Sequence, residues 1–288
     1  MQRRLFIPAA ATALLLPALA HSRPNSVPEP NVARLEQRSR GRPGVFALDT
    51  SDERRVAYRQ AERFPMCSTF KVLAVAAVLA RVDRGAERLD RRIALRQSDL
   101  LAYAPVTEQH VRDGSMSVAS LCAAAIEWSD NTAANLLLTS LGGPTAVTRY
   151  ARAIGDSTTR LDRNEPSLNS AIAGDPRDTT TPEAMADSLR SIVLGSALSA
   201  PSRERLRGWL QAGKTGTNRL RAGVPRTWRA GDKTGTGERG TSNDIAIFWP
   251  PGRKPIIASV YLTGSPLPAG ARDAILADVG TLVSRTLS

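Results

Sequence analysis

The chain has 288 residues, 42% of them hydrophobic and 23% charged, the composition of a globular protein with a substantial core. Its formal charge is +12, but the cations are dispersed and aromatics make up only 5%, so the charge reads as surface composition, able to steer anionic small molecules, and not as a nucleic-acid footprint. The only histidines are His21 and His110, which excludes a His-rich metal site and leaves any serine chemistry in need of another base.

Arg3 and Arg4 precede an apolar run, Leu5 to Leu19, that ends in Ala18-Leu19-Ala20. This is the pattern of a signal peptide over residues 1–20, compatible with a general or a twin-arginine export route. No later stretch is apolar for long enough to cross a bilayer. Asn31 to Arg40 makes a helix with Gly41 as its stop. Gly44–Asp49 and Arg55–Arg59 read as a hairpin around the turn residues Ser51-Asp52-Glu53. A helix free of Gly and Pro then runs from Ser68 toward Gly85.

From there to about Gln211 the pattern is helical and rich in Ala and Leu. Val118–Trp128, Thr132–Ser140, Pro144–Ile154, a helix capped by Thr181 and running to Leu194, and Ala200–Leu210 are the segments. Strands return at Thr227–Thr236, Asp244–Trp249 and Ile256–Leu262, and a helix from Ala271 to Leu287 closes the chain. Two strands near the start and three near the end imply one antiparallel sheet built from both ends around a helical middle. Cys67 and Cys122 both lie in apolar, helical surroundings and read as buried thiols.

Three short motifs carry chemistry. Ser68 and Lys71 are one helical turn apart, so they share a face beside unpaired helix N-terminal N–H groups. A lysine whose pKa is lowered by burial could activate the serine; for such a pair alone, a helix cap and a solvated lysine is the far commoner arrangement. Ser129-Asp130-Asn131 lies between two helices, where capping is the bland reading. As a site element, Ser129 would relay a proton and Asn131 would hold an acyl-side carbonyl. Lys-Thr-Gly occurs at 214–216 and at 233–235. The first copy reads as a loop coincidence. The second lies on a strand, where Lys233 and the Thr hydroxyls can line a cleft and Gly235 admits a close backbone; its bland reading is a lysine-protected edge strand.

In this order and spacing, Ser68-Thr69-Phe70-Lys71, Ser129-Asp130-Asn131 and Lys233-Thr234-Gly235-Thr236 resemble the class A serine β-lactamases. The likeness spans the mature chain and includes Tyr103-Ala104-Pro105-Val106-Thr107 and Arg163-Asn164-Glu165-Pro166-Ser167-Leu168-Asn169. It implies an α/β (α+β) fold, with a five-stranded antiparallel sheet domain from residues 21–60 and 213–288 and an all-α domain at 61–212. The latter would include an Ω-loop at 160–178, pinned by Arg163 and Asp178, with the Glu165–Pro166 bond able to be cis.

By the same resemblance Ser68 is the nucleophile. Its proton leaves through Lys71 or through water to Glu165, and Ser129 delivers a proton to the departing nitrogen. The Ser68 and Thr236 N–H groups form the oxyanion hole, and Glu165, helped by Asn169, drives the deacylating water. Tyr103, Asn131, Arg219, Lys233, Thr234, Gly235 and Thr236 are the implied substrate contacts. Small-molecule β-lactams are the implied partners of a monomeric, periplasmic enzyme, with no cofactor, metal, nucleic acid or membrane partner. Certain carbapenem-hydrolysing members join a cysteine at the Cys67 position to a second one; Gly237 stands there, and Val75 stands where another subgroup pairs with Cys122, so no disulfide is expected. The rival readings are a penicillin-binding D,D-peptidase and a β-lactam sensor, neither of which needs the Glu165 loop.

Overall fold

The computed structural model describes residues 30–288; the signal-peptide reading falls outside them. The main sheet has five antiparallel strands: β1 (Arg42–Asp49), β2 (Arg55–Tyr58), β3 (Arg229–Gly237), β4 (Thr241–Trp249) and β5 (Ile256–Thr263). Their order is β2-β1-β5-β4-β3, so the strands from the two ends of the chain do meet, Val45 opposite Val260. Alternation along each strand divides the side chains between two cores. Val45, Ala47, Ala246 and Phe248 face α1 (Pro30–Ser39) and the final helix, Ala269–Leu287. Phe46, Leu48, Ile245 and Ile247 face the helical middle.

That middle is built around α2 (Phe70–Asp83). An unbroken run of eleven residues, Phe70 to Ala80, is buried in it. A helix that is apolar on all sides belongs inside a protein, and α2 is wrapped by α3 (Val118–Glu127), α4 (Asn131–Leu141), α5 (Thr145–Ala153), α6 (Pro182–Val193) and α7 (Ala200–Gln211). The final helix is α8 (Ala269–Leu287). Thr181 caps α6 as expected, accepting from the Ala184 N–H at 3.2 Å, with Pro182 in the first turn. Two short strand pairs, Phe64–Pro65 with Thr179–Thr180 and Arg92–Ala94 with Ser115–Ser117, have too few residues to show a period in the sequence.

Ser68 departs slightly from the expectation. It lies in a 3₁₀ turn, Cys67–Thr69, and the α-helix begins only at Phe70. Among the described residues no helix is long and apolar enough to cross a membrane.

Gly44 shows how tightly the sheet meets the segment leading to that turn. A Cβ there would stand 2.4 Å from the Phe64 ring and 2.9 Å from Pro182 Cγ. Gly44→Ala should therefore lower the free energy of unfolding by about 1–3 kcal/mol, seen in urea melts as a lower midpoint at unchanged slope.

Candidate active site

Ser68 stands on a turn held from outside. Cys67 before it has φ +47°, a left-handed conformation costing an L-residue about 1–2 kcal/mol. The Met66 N–H donates to Asp178 O at 2.9 Å. Asn243 on β4 donates through Nδ2 to Pro65 O at 2.9 Å and to Met66 O at 3.0 Å. One face of β3 closes the other side. A Cβ on Gly235 would stand 2.7 Å from Met66 O, and one on Gly237 2.6 Å from Cys67 Sγ. The sequence reading puts Gly235 beneath a substrate; in the structure the room it frees is taken by the turn that carries Ser68.

Ser68 and Lys71 meet on one carboxylate oxygen. Ser68 Oγ donates to Glu165 Oε1 at 3.1 Å, and Lys71 Nζ lies 3.1 Å from the same atom. Lys71 also donates to Ser129 O at 2.7 Å and Asn131 Oδ1 at 2.6 Å. It is fully buried, and that burial pulls its ammonium below the usual lysine range, against the opposing charge of Glu165. The other carboxylate oxygen, Glu165 Oε2, accepts from Asn169 Nδ2 at 2.6 Å.

Glu165 belongs to a polar loop tied across its base. Asp178 Oδ1 accepts the Asp162 and Arg163 N–H groups at 2.7 and 2.9 Å, and Asp178 Oδ2 accepts Arg163 Nε at 2.5 Å. The Glu165–Pro166 peptide is cis.

Ser129 connects the two buried lysines. Its hydroxyl accepts from Lys233 Nζ at 2.8 Å and faces Lys71 Nζ at 3.4 Å. Lys233, also fully buried, donates to Thr234 O at 2.8 Å as well. Burial first, then the charge of Lys71, hold its ammonium well below the lysine range. Asp130 does what the bland reading asked: it caps α4 through the Ala133 N–H at 2.8 Å. It also accepts from the Val106 and Thr107 N–H groups at 3.0 and 2.9 Å, which fixes the segment after Tyr103. Tyr103 is 48% exposed at the rim, and its carbonyl accepts the Asn131 N–H at 3.0 Å.

Arg219 is buried, unlike the surface arginine its sequence context allows. It donates to Gly235 O at 2.9 Å, Asn243 O at 2.7 Å, Thr236 Oγ1 at 2.8 Å and Asp273 Oδ1 at 2.8 Å. Two serines, two lysines and a carboxylate thus share one hydrogen-bonded cluster beside the outermost strand.

Known proteins resemble the chain over nearly its whole length. A profile of the β-lactamase enzyme family matches residues 28–287. The chain is 48% identical over 285 residues to β-lactamase CTX-M-8 of Citrobacter amalonaticus, covering 99% of this chain and 97% of that protein. It is 46% identical over 279 residues to β-lactamase OXY-1 of Klebsiella oxytoca, covering 97% and 96%. The solved structure of an ancestral (GNCA) class A β-lactamase superposes with a TM-score of 0.87 at 64% identity, over 89% of this chain and 98% of that one. The putative class A enzyme PenP from Rhodopseudomonas palustris gives 0.86 at 59% identity, over 88% and 97%. The chain belongs to the β-lactamase enzyme family. It is a class A β-lactamase, an enzyme that hydrolyses β-lactam antibiotics and so confers resistance to them.

Within this β-lactamase the first Lys-Thr-Gly is not a loop coincidence. Thr215 Oγ1 lies 2.6 Å from Thr234 Oγ1, and a Cβ on Gly216 would fall 1.6 Å from Asp232 Oδ2. The two copies pack back to back, the first buttressing the second, while the Lys214 side chain stays exposed. Sequence reasoning also missed Asn135. Its Oδ1 accepts the Glu165 N–H at 3.0 Å and its Nδ2 donates to Glu165 O at 2.9 Å, clamping that peptide on both sides. The available signal was spacing: Asn135 follows Asn131 by four residues, on the same face of α4.

Lys233→Ala should lower kcat/KM for a penicillin by about 3 kcal/mol, roughly 100-fold, since it removes a buried charged donor. Lys214→Ala should change it by no more than about twofold, as for an exposed side chain. Steady-state hydrolysis of benzylpenicillin by both variants compares the two copies directly.

Proposed function

We propose that this β-lactamase works through a serine acyl-enzyme, with Ser68 as nucleophile and Glu165 as the base that clears it. One observation carries the reading: a single buried carboxylate lies 3.1 Å from both Ser68 Oγ and Lys71 Nζ. A general base must be within hydrogen-bond reach of the proton it takes, and Glu165 meets that test for the serine itself. Lys71, depressed by burial, can cycle between ammonium and amine beside it.

The steps follow from the geometry. The Ser68 hydroxyl gives its proton toward Glu165 and Lys71 as Oγ bonds to the lactam carbonyl carbon. The Ser68 and Thr236 N–H groups, across the gap between the turn and β3, receive the developing oxyanion. Ser129, hydrogen-bonded to Lys233 and beside Lys71, passes a proton to the ring nitrogen as the C–N bond breaks. Lys233, Thr234 and Thr236, with Arg219 behind them, hold the substrate carboxylate; Asn131 and Tyr103 border the acyl side. Asn169 Oδ1 is buried without a protein partner beside Glu165 and is the acceptor that orients the attacking water. Glu165 takes that water's proton, and the ester to Ser68 is cut.

The Glu165 loop separates this reading from a D,D-peptidase or a sensor, which would remain acylated. The sheet of residues 21–60 and 213–288 and the helical segment 61–212 act as two domains with the cleft between them. The enzyme functions as an exported monomer in the periplasm after removal of residues 1–20.

Glu165→Ala should acylate readily and stall, with turnover reduced roughly 10²–10⁴-fold. Mass spectrometry of the quenched protein would show a stoichiometric penicilloyl adduct on Ser68, whereas the wild type shows none at steady state. An unmodified, merely slow variant would sink the two-stage reading.

Lys233 supplies a pH test. Its charged form is disfavoured in the free enzyme, and an incoming carboxylate favours it again. As pH rises through the lowered pKa the cation is lost, so kcat/KM should fall on an alkaline limb below the usual lysine range. Lys233→Arg keeps the charge at all such pH values and should move that limb upward. A limb that stays in place in the arginine variant would belong to another group.

A further inference from the structure

Behind the Glu165 loop lies a second cavity of about 650 Å³, distinct from the cleft. It is bounded by the outer face of the loop on one side and by the start of β1, the β3–β4 turn and the end of β5 on the other. Arg40, Arg42, Arg63, Arg163, Arg177 and Arg239 line it, against Asp175 as its one carboxylate.

Three of these guanidinium groups already have carboxylate partners: Arg42 with Glu62 at 3.0 Å, Arg163 with Asp178 at 2.5 Å, and Arg177 with Asp175 at 2.8 Å. The other three have none among the described residues. Arg63 donates to neutral oxygens, Thr158 O and Thr179 Oγ1, both at 3.0 Å. Arg239 reaches only Ser170 O, at 3.3 Å. Arg40 is exposed at the end of α1. Arg40 and Arg239 also have φ of +51° and +52°, where glycine or asparagine is the usual choice. Long cations held at such positions, around one concavity, need a reason beyond solubility.

We propose that this cavity binds a small polyanion carrying two or more linked phosphoryl groups. Guanidinium forks fit phosphoryl oxygens in pairs, and three guanidinium charges without a carboxylate partner exceed what one monoanion can neutralise. The volume suits a compact ligand of several heavy groups. The floor is apolar, with Leu168 and Pro65, so the charge is concentrated at the rim. The anion would tie the loop to the sheet. Arg239 bonds to Ser170 O, and the neighbouring Glu238 N–H donates at 2.9 Å to the backbone O of Asn169, the residue whose Nδ2 holds the Glu165 carboxylate. This inference does not depend on the serine mechanism above.

Calorimetric titration with inorganic tripolyphosphate, at ionic strength matched with sodium chloride, tests it. One anion should bind per wild-type chain and raise the melting temperature, with KM for benzylpenicillin unchanged. The Arg40→Gln/Arg239→Gln variant should hydrolyse penicillin normally but bind tripolyphosphate at least tenfold more weakly. Co-sedimentation with cardiolipin vesicles, against zwitterionic vesicles, separates a lipid headgroup from a free anion as the source, and either result upholds the site. No binding by the wild type, equal binding by the variant, or competition with penicillin would overturn it.

Discussion

Two fully buried ammonium groups, on Lys71 and Lys233, are the constraint around which the site is arranged. Withdrawing an ammonium from water costs several kcal/mol unless oxygens replace the solvent. Lys71 receives Ser129 O, Asn131 Oδ1 and Glu165 Oε1; Lys233 receives Ser129 Oγ and Thr234 O. The acceptors lie on the 129–131 segment, on the Glu165 loop and, for Lys233, on its own strand, so satisfying the two cations draws the first two onto α2 and β3. The same burial keeps both ammonium groups below the ordinary lysine range. Structure and reactivity therefore share one cause. A lysine solvated at the surface would need no such partners and would keep the ordinary lysine range.

The apolar core explains why the acceptors arrive where they do. α2 is buried on every side, so Lys71, one residue into it, cannot turn to solvent. Asn131 opens α4, whose cap is Asp130, and Ser129 is held before it at φ +59°. Lys233 sits on the outermost strand, and the Ser68 turn packs closely on one face of that strand at Gly235 and Gly237. That contact sets the turn beside Lys233 and closes one side of the site.

Much of this was legible in the sequence. Periodicity and caps placed the helices and strands within a residue or two for most segments, because the apolar face of each is set by burial. Ser68 and Lys71 were readable because their types are chemically marked and they stand one helical turn apart; Ser129 and Lys233 gained their reading only from the order of the three motifs, which the resemblance supplied. Asn135 was missed because its bonds reach Glu165 thirty residues away, and its spacing from Asn131 marks a shared helix face without naming a partner. Gly216 and Thr215 were missed for a related reason. Their role is to let one strand motif lie against another, which composition cannot express. Arg219 was singled out only by the resemblance, against a bland reading as one more surface arginine, and its burial and four hydrogen bonds set it apart from that reading.

The two halves of the proposed cycle rest on different physics. The Ser68 turn and α2 are fixed by packing, which is non-directional and insensitive to salt. The loop bearing Glu165 buries few large apolar groups, chiefly Leu161 and Leu168, and is otherwise tied by Asp178, Arg163 and Asn135. A segment held mainly by polar contacts opens at lower free energy than the core beside it. In the proposed cycle the nucleophile is thus carried by a packed element and the deacylating base by a separately anchored loop. The base of the loop is joined to the nucleophile's turn by one backbone bond, Met66 N–H to Asp178 O, and a fixed distance there keeps the carboxylate in register with the serine. Changes in the loop anchors would reach both halves of the proposed cycle through Glu165, and deacylation most, because Lys71 stays on α2 to take the serine proton if the loop shifts.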